Sequence, residues 1–489
     1  MKKSNNNSVT SNFAFNLTIQ IITYLFPIIL SPYLSRVLGS DGIGTNSYVI
    51  SIVSVFSLIV NYGFLGYGTK RISECREDKI KVNNTFWSVF FAKLILFLCS
   101  IIVYLLLTFV LWNNSSYFSL FIIYSSLLLA NLLDLTFLFQ GIENFKAVSL
   151  LNVIFRLASL CLIFVFVKSS SDLGKYACIY SFQLIGVALF SWIFALKYIS
   201  KPGFKDIHVL ISIKEALFYF LPTISVTISS LIDKTMLGSI ISTTEVGYYE
   251  EASKIVTLVV GLICSLAPVL LTRISYLYSK NSTKEILLKI NQMFSAFFDM
   301  SLPAICGLYI IGRNFMPAYF GEEFSASVPI LFVLLPTIFT TSFTNLLCNC
   351  YFAPKGKIKT MTVFYCISSV LNIVLNSFLI IFLKGVGAAI GTLSSDALMA
   401  IFTFIGSRKD IDYKSVFHEI IKPFGSSLIM TVVLLILDFL VFPLFSLNRI
   451  LIVILEIIIG AFIYFVCLLV FKEQTLYLLL GKIFKRKAK

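Results

Sequence analysis

Arg156 lies in the apolar run LLNVIFRLASLCLIFVF (Leu150 to Phe166), with no acidic residue within a helical turn. Three more cations sit in or at the end of apolar runs: Lys234, Lys254 and Arg36. An unpaired charge at the centre of a bilayer costs about 2.5–3.5 kcal/mol on insertion scales, so such residues face a polar interior or a partner. Together these cations suit an anionic ligand, and the arginine fork matches phosphate through paired hydrogen bonds. Lys93, near the cytoplasmic end of the third run, is expected to reach out to the interface, and Arg36, at the end of its run, has the same option. Asp134, Asp233 and Glu250 are the candidate sites for a coupling cation, H+ or Na+, with structural pairing the alternative. Glu250 and Lys254, four residues apart, are spaced to pair on one helix face.

Around these charges run polar stripes spaced by three and four residues. The first run has Asn12, Asn16, Gln20, Thr23, Ser31 and Ser35. Ser149, Asn152, Arg156 and Ser159 form a second stripe, and Thr223, Thr227, Ser230 and Lys234 a third. Others are Thr337, Thr341, Thr344, Asn345 and Asn349, and then Asn372 with Asn376. That spacing marks one face of a helix. Stripes of Ser and Thr alone suit close helix packing. Stripes bearing Asn, Gln or a charge suit a wet cavity, which makes Asn16, Gln20, Asn152, Asn345, Asn372 and Asn376 candidate polar lining.

The elements that must position these groups follow from composition. The chain has 489 residues, 58% of them hydrophobic, and a mean hydropathy of +0.92. Soluble domains average about 45–50% apolar. Apolar runs long enough to cross hydrocarbon recur from end to end, each near the ~20 residues a spanning helix needs. The fold class is therefore all-α, a polytopic membrane protein of about fourteen helices. They are expected near 13–35, 43–67, 84–111, 117–139, 148–167, 174–197, 214–237, 249–272, 290–312, 325–350, 359–383, 386–406, 419–444 and 448–471. The N-terminal run, without a small-residue cleavage site, reads as a first span rather than a removed signal.

Lys and Arg orient the spans. The N-terminus, the even-numbered connections and the C-terminal tail carry 29 of them and the opposite side 6. The positive-inside rule then puts both termini in the cytoplasm. This distribution explains the net charge of +15 without nucleic acid. The ten cysteines are scattered, with no CxxC pair, and read as small buried hydrophobes.

The chain also echoes itself. Its first and seventh helices carry Pro27 and Pro222 mid-span. They end at Leu38-Gly39 and Leu237-Gly238, and each leads to a short turn and a second glycine, Gly44 and Gly247. The fourth and tenth helices both end in aromatics and a Gly/Lys turn. Helices 1–6 and 7–12 thus read as two parallel repeats, with a site expected between them. The expected divisions are 1–205, 206–410, and 411–489 for helices 13 and 14 and a basic tail.

No GxxxxGK[ST] loop is present, and the two histidines, His208 and His418, fall in connections. No metal cluster, cofactor motif or large outside loop is visible, so the pattern points to transport rather than catalysis.

The stretches PYLSRVLGSDGIGTNSY (Pro32 to Tyr48), NYGFLGYGTKRIS (Asn61 to Ser73), FLFQGIENFK (Phe137 to Lys146), IDKTMLGS (Ile232 to Ser239), EVGYYEEASKI (Glu245 to Ile255) and YFAPKGKIKT (Tyr351 to Thr360) carry a family resemblance. In this order they resemble the polysaccharide-transporter branch of the multidrug/oligosaccharidyl-lipid/polysaccharide exporter superfamily, the Wzx-type flippases. The resemblance implies two six-helix lobes in a V, rocking around a cationic cavity. Its implied substrate is an undecaprenyl-diphosphate-linked oligosaccharide bound for capsule, exopolysaccharide or O-antigen. The implied site is the bacterial cytoplasmic membrane, with membrane lipid and other polysaccharide-assembly membrane proteins as partners. By position it assigns Arg36, Arg156, Asp233, Lys234 and Lys254 to the charged cavity, and helices 13 and 14 to a lipid groove. Two other readings stay open: a cation-coupled drug antiporter of the same superfamily, and a membrane polysaccharide polymerase or ligase.

Overall fold

A backbone in hydrocarbon has no water to bond, so each segment that crosses must satisfy its own N–H and C=O groups. The computed structural model, which describes residues 6–144, 146–203, 206–265, 283–444 and 448–473, follows that rule. Every element among the described residues is helical. Side chains are described from residue 26 onward, apart from a few positions.

In chain order the α-helices are α1 (Asn6–Asn61), α2 (Phe64–Cys75), α3 (Lys79–Trp112), α4 (Phe118–Leu133), α5 (Thr136–Gly141), α6 (Lys146–Phe166), α7 (Leu173–Ala195), α8 (Val209–Ile240), α9 (Thr243–Cys264), α10 (Thr283–Phe320), α11 (Val328–Leu334), α12 (Thr337–Leu347), α13 (Ile358–Ser407), α14 (Tyr413–His418), α15 (Ile421–Ile436) and α16 (Arg449–Val470). Among the described residues, nine helices are long and apolar enough to cross a membrane, or up to ten with one bent pair counted as a span. The chain is thus a multi-pass membrane protein. The count of fourteen remains an expectation.

Several expected spans are jointed. α1 and α13 each join two expected spans across a break, at Gly39 (φ 70) and at Lys384 (φ 49). The expected fourth helix stops at Leu133 and resumes as α5, and the tenth bends by 47° between α11 and α12, before Pro336. The second helix continues beyond its expected end as α2, Phe64–Cys75.

The residues divide into two compact units, Met1–Gly247 and Tyr248–Lys489. In the first, α4 packs on α1 and α7, α6 on α7, and α2 on α5. α8, the expected seventh helix, packs on α1, α2 and α3 in this unit. One core gathers Phe64, Phe86, Phe137 and Phe139, and another Val49, Tyr104, Phe121 and Tyr124. In the second unit α10 packs on α15 and α16, and α12 on α13. Phe294, Phe297, Phe298 and Phe343 fill its buried aromatic centre.

The echo in the sequence appears as a reciprocal contact inside the first unit. A Cβ on Gly44 would lie 1.7 Å from the carbonyl oxygen of Thr243, and one on Gly247 would lie 2.1 Å from that of Ser40. Ser40 is to Gly44 as Thr243 is to Gly247, so each partner touches the other's counterpart. The Asp41 carboxylate closes the crossing by accepting a hydrogen bond from the Thr243 hydroxyl.

The crossing leaves no room for a methyl group where the neighbour is backbone. Gly44→Ala and Gly247→Ala are each expected to reduce the yield of monodisperse protein in detergent. The overpacking costs about 1–3 kcal/mol or more. Gly174→Ala, with nothing within 4 Å, is expected to behave as wild type. Size-exclusion profiles of the three variants check this, and equal profiles would contradict it.

Candidate functional site

Arg156 projects from α6 half-buried. Its guanidinium lies 5.8 Å from the centre of the Phe26 ring on α1. Among the described residues no carboxylate comes within ion-pair distance of it. One turn away, Asn152 donates to the Val148 carbonyl of its own helix at 3.0 Å. Buried Ser159 donates instead to Gln183 on α7 at 2.8 Å. The stripe therefore divides, with Ser159 serving the packing of α6 on α7 and Arg156 meeting an aromatic ring of α1. The side chains of Asn16 and Gln20, on the same helix as Phe26, lie outside the described residues.

Arg36 is exposed three residues before the joint in α1. On α8, Thr223, Thr227 and Ser230 each bond to a carbonyl of their own helix, so this stripe makes no hydroxyl cross-links among its resolved bonds. Farther along, Ser51 on α1 meets Thr235 at 2.9 Å and Tyr48 meets Ser239 at 3.1 Å. Asp233 is buried and Lys234 half-buried beside that seam.

Lys93 does not reach outward as expected. It is buried, and its ammonium donates to the Asp134 carbonyl oxygen at 3.0 Å, where α4 breaks before α5. The Asp134 carboxylate accepts from the Thr136 amide (3.1 Å) and hydroxyl, starting α5. The break frees a carbonyl inside the membrane, and the lysine satisfies it. The sequence places Lys93 and Asp134 in separate spans, and nothing in it signals their meeting.

In the second unit Lys254 is ion-paired, at 2.8 Å from Glu251 and 3.7 Å from Glu250. The expected i,i+4 partner is there, but fully buried Glu251 is nearer. Two carboxylates around one ammonium make this an acidic rather than a cationic group. Asn345 accepts from Asn349 at 2.7 Å, and Asp396 from Thr341 at 2.7 Å. Asn372 and Asn376 are fully buried, with Asn376 donating to Asn372 at 3.3 Å. A Cβ on Gly391 would touch the Asn376 oxygen at 2.2 Å. These two asparagines lie in a tight seam between the two halves of α13 and do not line the expected wet surface.

Two polar clusters emerge that the sequence shows only as motif residues. In the first unit a cavity of about 390 Å3 is lined by Arg71, Asn84, Asp206 and His208, among others. Arg71 holds Glu215 through its fork at 2.8–3.2 Å. In the second, Asp410 accepts from Lys355 at 2.7 Å and from the Tyr351 hydroxyl, which also accepts from Lys357 at 3.0 Å. The Lys355 ammonium, helped by the Tyr351 hydroxyl, holds the Asp410 carboxyl below the usual carboxylate range. The pairing is therefore complete at neutral pH and is lost as pH falls through the lowered value.

The family described as "Polysaccharide biosynthesis protein" matches residues 9–277. The chain belongs to that family. A Shigella dysenteriae protein provisionally named as an O-antigen transporter is 27% identical over 388 residues, covering 78% of this chain and 95% of that one. Among solved structures, the lipid II flippase MurJ in an inward closed conformation superposes with a TM-score of 0.77 at 17% identity, covering 94% of this chain and 98% of the other. An inward-facing MATE-family multidrug resistance transporter of the MOP superfamily gives 0.58 at 16% identity, covering 76% and 93%. These two likenesses carry the fold, which is that of the exporter superfamily the motifs resemble.

Removing the Lys93 ammonium strands the carbonyl at the α4–α5 break. Lys93→Met is expected to lower the thermal midpoint in detergent, because a hydrogen bond to a charged group contributes about 1.5–3 kcal/mol. A substitution at exposed Lys70 is the matched control. Equal midpoints for both variants would show that Lys93 reaches the interface after all.

Proposed function

We propose that this protein is a flippase for lipid-linked oligosaccharide repeat units, not an enzyme. The cargo we infer is an oligosaccharide on undecaprenyl diphosphate, carried across the bacterial cytoplasmic membrane for capsule, exopolysaccharide or O-antigen, with both termini in the cytoplasm. The repeats alternate access to the two sides, and cations in the path receive the diphosphate.

The observation that carries this reading is Arg156: a guanidinium in a membrane-spanning helix, beside an aromatic ring and, among the described residues, without a carboxylate in ion-pair distance. An arginine so placed keeps its charge and its hydrogen-bonding fork available for phosphate oxygens. Lys234, half-buried on α8, is the second candidate contact, and Arg36 the third. Lys254 contributes only if Glu250 or Glu251 releases it. A coupling cation, H+ or Na+, would suit the carboxylate pair beside Lys254 better than Asp134, which already caps a helix. The family match supports the polysaccharide context, and the named O-antigen transporter supports transport.

The test is export of surface polysaccharide in a strain relying on this chain. Arg156→Ala at wild-type protein level is expected to reduce export about tenfold or more, the equivalent of one charge-assisted hydrogen bond of about 1.5–3 kcal/mol. Arg156→Lys is expected to fall between the two, since it keeps the charge and loses the fork. Unchanged export by Arg156→Ala would remove the residue from the path.

A further inference from the structure

A cavity of about 430 Å3 lies among α10, α15 and α16 in the second unit. Its walls include Met430, Leu434, Gly460 and Tyr464, and two of the residues lining it, Ile457 and Phe465, are 49% and 43% exposed. Large exposed apolar residues on a spanning helix face lipid, so the cavity opens sideways to the bilayer. Into it project two carboxyl groups. Glu456, eight residues into α16, is 0% exposed, and neither of its carboxyl oxygens has a hydrogen-bond partner among the described residues. One oxygen of Asp299 is buried and unpartnered in the same way.

These two belong to a row of acidic groups. Glu473, fully buried just past α16, accepts from Ser295 on α10 at 3.2 Å. Asp299 stands one turn beyond Ser295, and its carbonyl accepts from Tyr464 at 2.9 Å. Glu456 follows along α16. Asp438, in the helical segment after α15, accepts from Asn314 on α10 at 3.4 Å. Among the described residues the one cation with a resolved contact to this row is Lys422 on α15. It sits 3.8 Å from Glu473 and donates to the Lys472 carbonyl.

An ionised carboxylate in such surroundings, without a partner, carries a penalty of several kcal/mol. A metal cation would not relieve it, because hard cations take about six or more oxygen ligands and this lining offers two carboxyls and a phenol. A proton needs one oxygen. We propose that Glu456 is a proton-binding site, neutral at physiological pH, which exchanges its proton along the row that passes Asp299 to Glu473.

The test is labelling by dicyclohexylcarbodiimide, an apolar reagent that adds to protonated carboxyl groups. It is applied to the full chain in liposomes and read by peptide mass spectrometry. The expected result is an adduct on Glu456 at neutral pH, falling about tenfold for each pH unit above the titration midpoint. Glu456→Asp should retain the adduct at that position and Glu456→Gln should lose it. An adduct formed only in acid would mean an ionised carboxylate at neutral pH and would overturn the proposal. So would a Glu456 unlabelled at every pH, or labelling that persists unchanged into alkali. The readout requires no transport, so its failure and the failure of the flippase reading are separate results.

Discussion

Hydrocarbon penalises two things above all: an unpaired backbone polar group and an uncompensated charge. The first penalty makes each described element a helix. It also makes every interruption need a local remedy. At Gly39 the remedy is a residue that takes positive φ without strain. At the α4–α5 break it is the buried ammonium of Lys93 on the freed carbonyl. The second penalty sorts the charges. Lys254 has two carboxylates, Arg71 has Glu215, and Lys355 has Asp410. Arg156, among the described residues, has an aromatic ring and no carboxylate within ion-pair distance.

The two glycine turns are fixed by close backbone contact. Gly44 and Gly247 each meet the counterpart of the other's neighbour, which ties the start of the second copy to the turn that opens the first. The joints recur as well, since the expected fourth and tenth helices are both broken, one at Asp134 and one before Pro336. Each break lies within an expected span, late in the fourth helix and nearer the middle of the tenth. It also sets helix ends inside the membrane, where polar groups must be supplied and where binding sites in transporters form.

The all-helical fold class and the glycine turns were legible in the sequence, because hydropathy and Leu-Gly punctuation act within or near a single helix. Asn372 and Asn376 were misread as wet lining, since a polar residue on a helix face looks the same whether it meets water or Gly391 across a seam. The outward reach of Lys93 was misread for a related reason: its partner is a backbone carbonyl of another helix, and backbone breaks leave little trace in composition. Glu456 owes its cavity to α10, far earlier in the chain, as well as to neighbouring α15, so no local pattern marks it. Arg71–Glu215 and Tyr351–Asp410 likewise join residues that no local pattern links.

The central claim is that this chain moves a diphosphate-bearing glycolipid between leaflets. The direct measurement is leaflet exchange of a fluorescent polyprenyl-diphosphate oligosaccharide in liposomes holding the purified protein, read by a quencher that reaches the outer leaflet alone. The account predicts that the protected fraction becomes accessible at a rate proportional to the amount of protein, and that a polyprenyl lipid without the diphosphate sugar stays put. Equal exchange in protein-free liposomes, or equal exchange of both lipids, would contradict it.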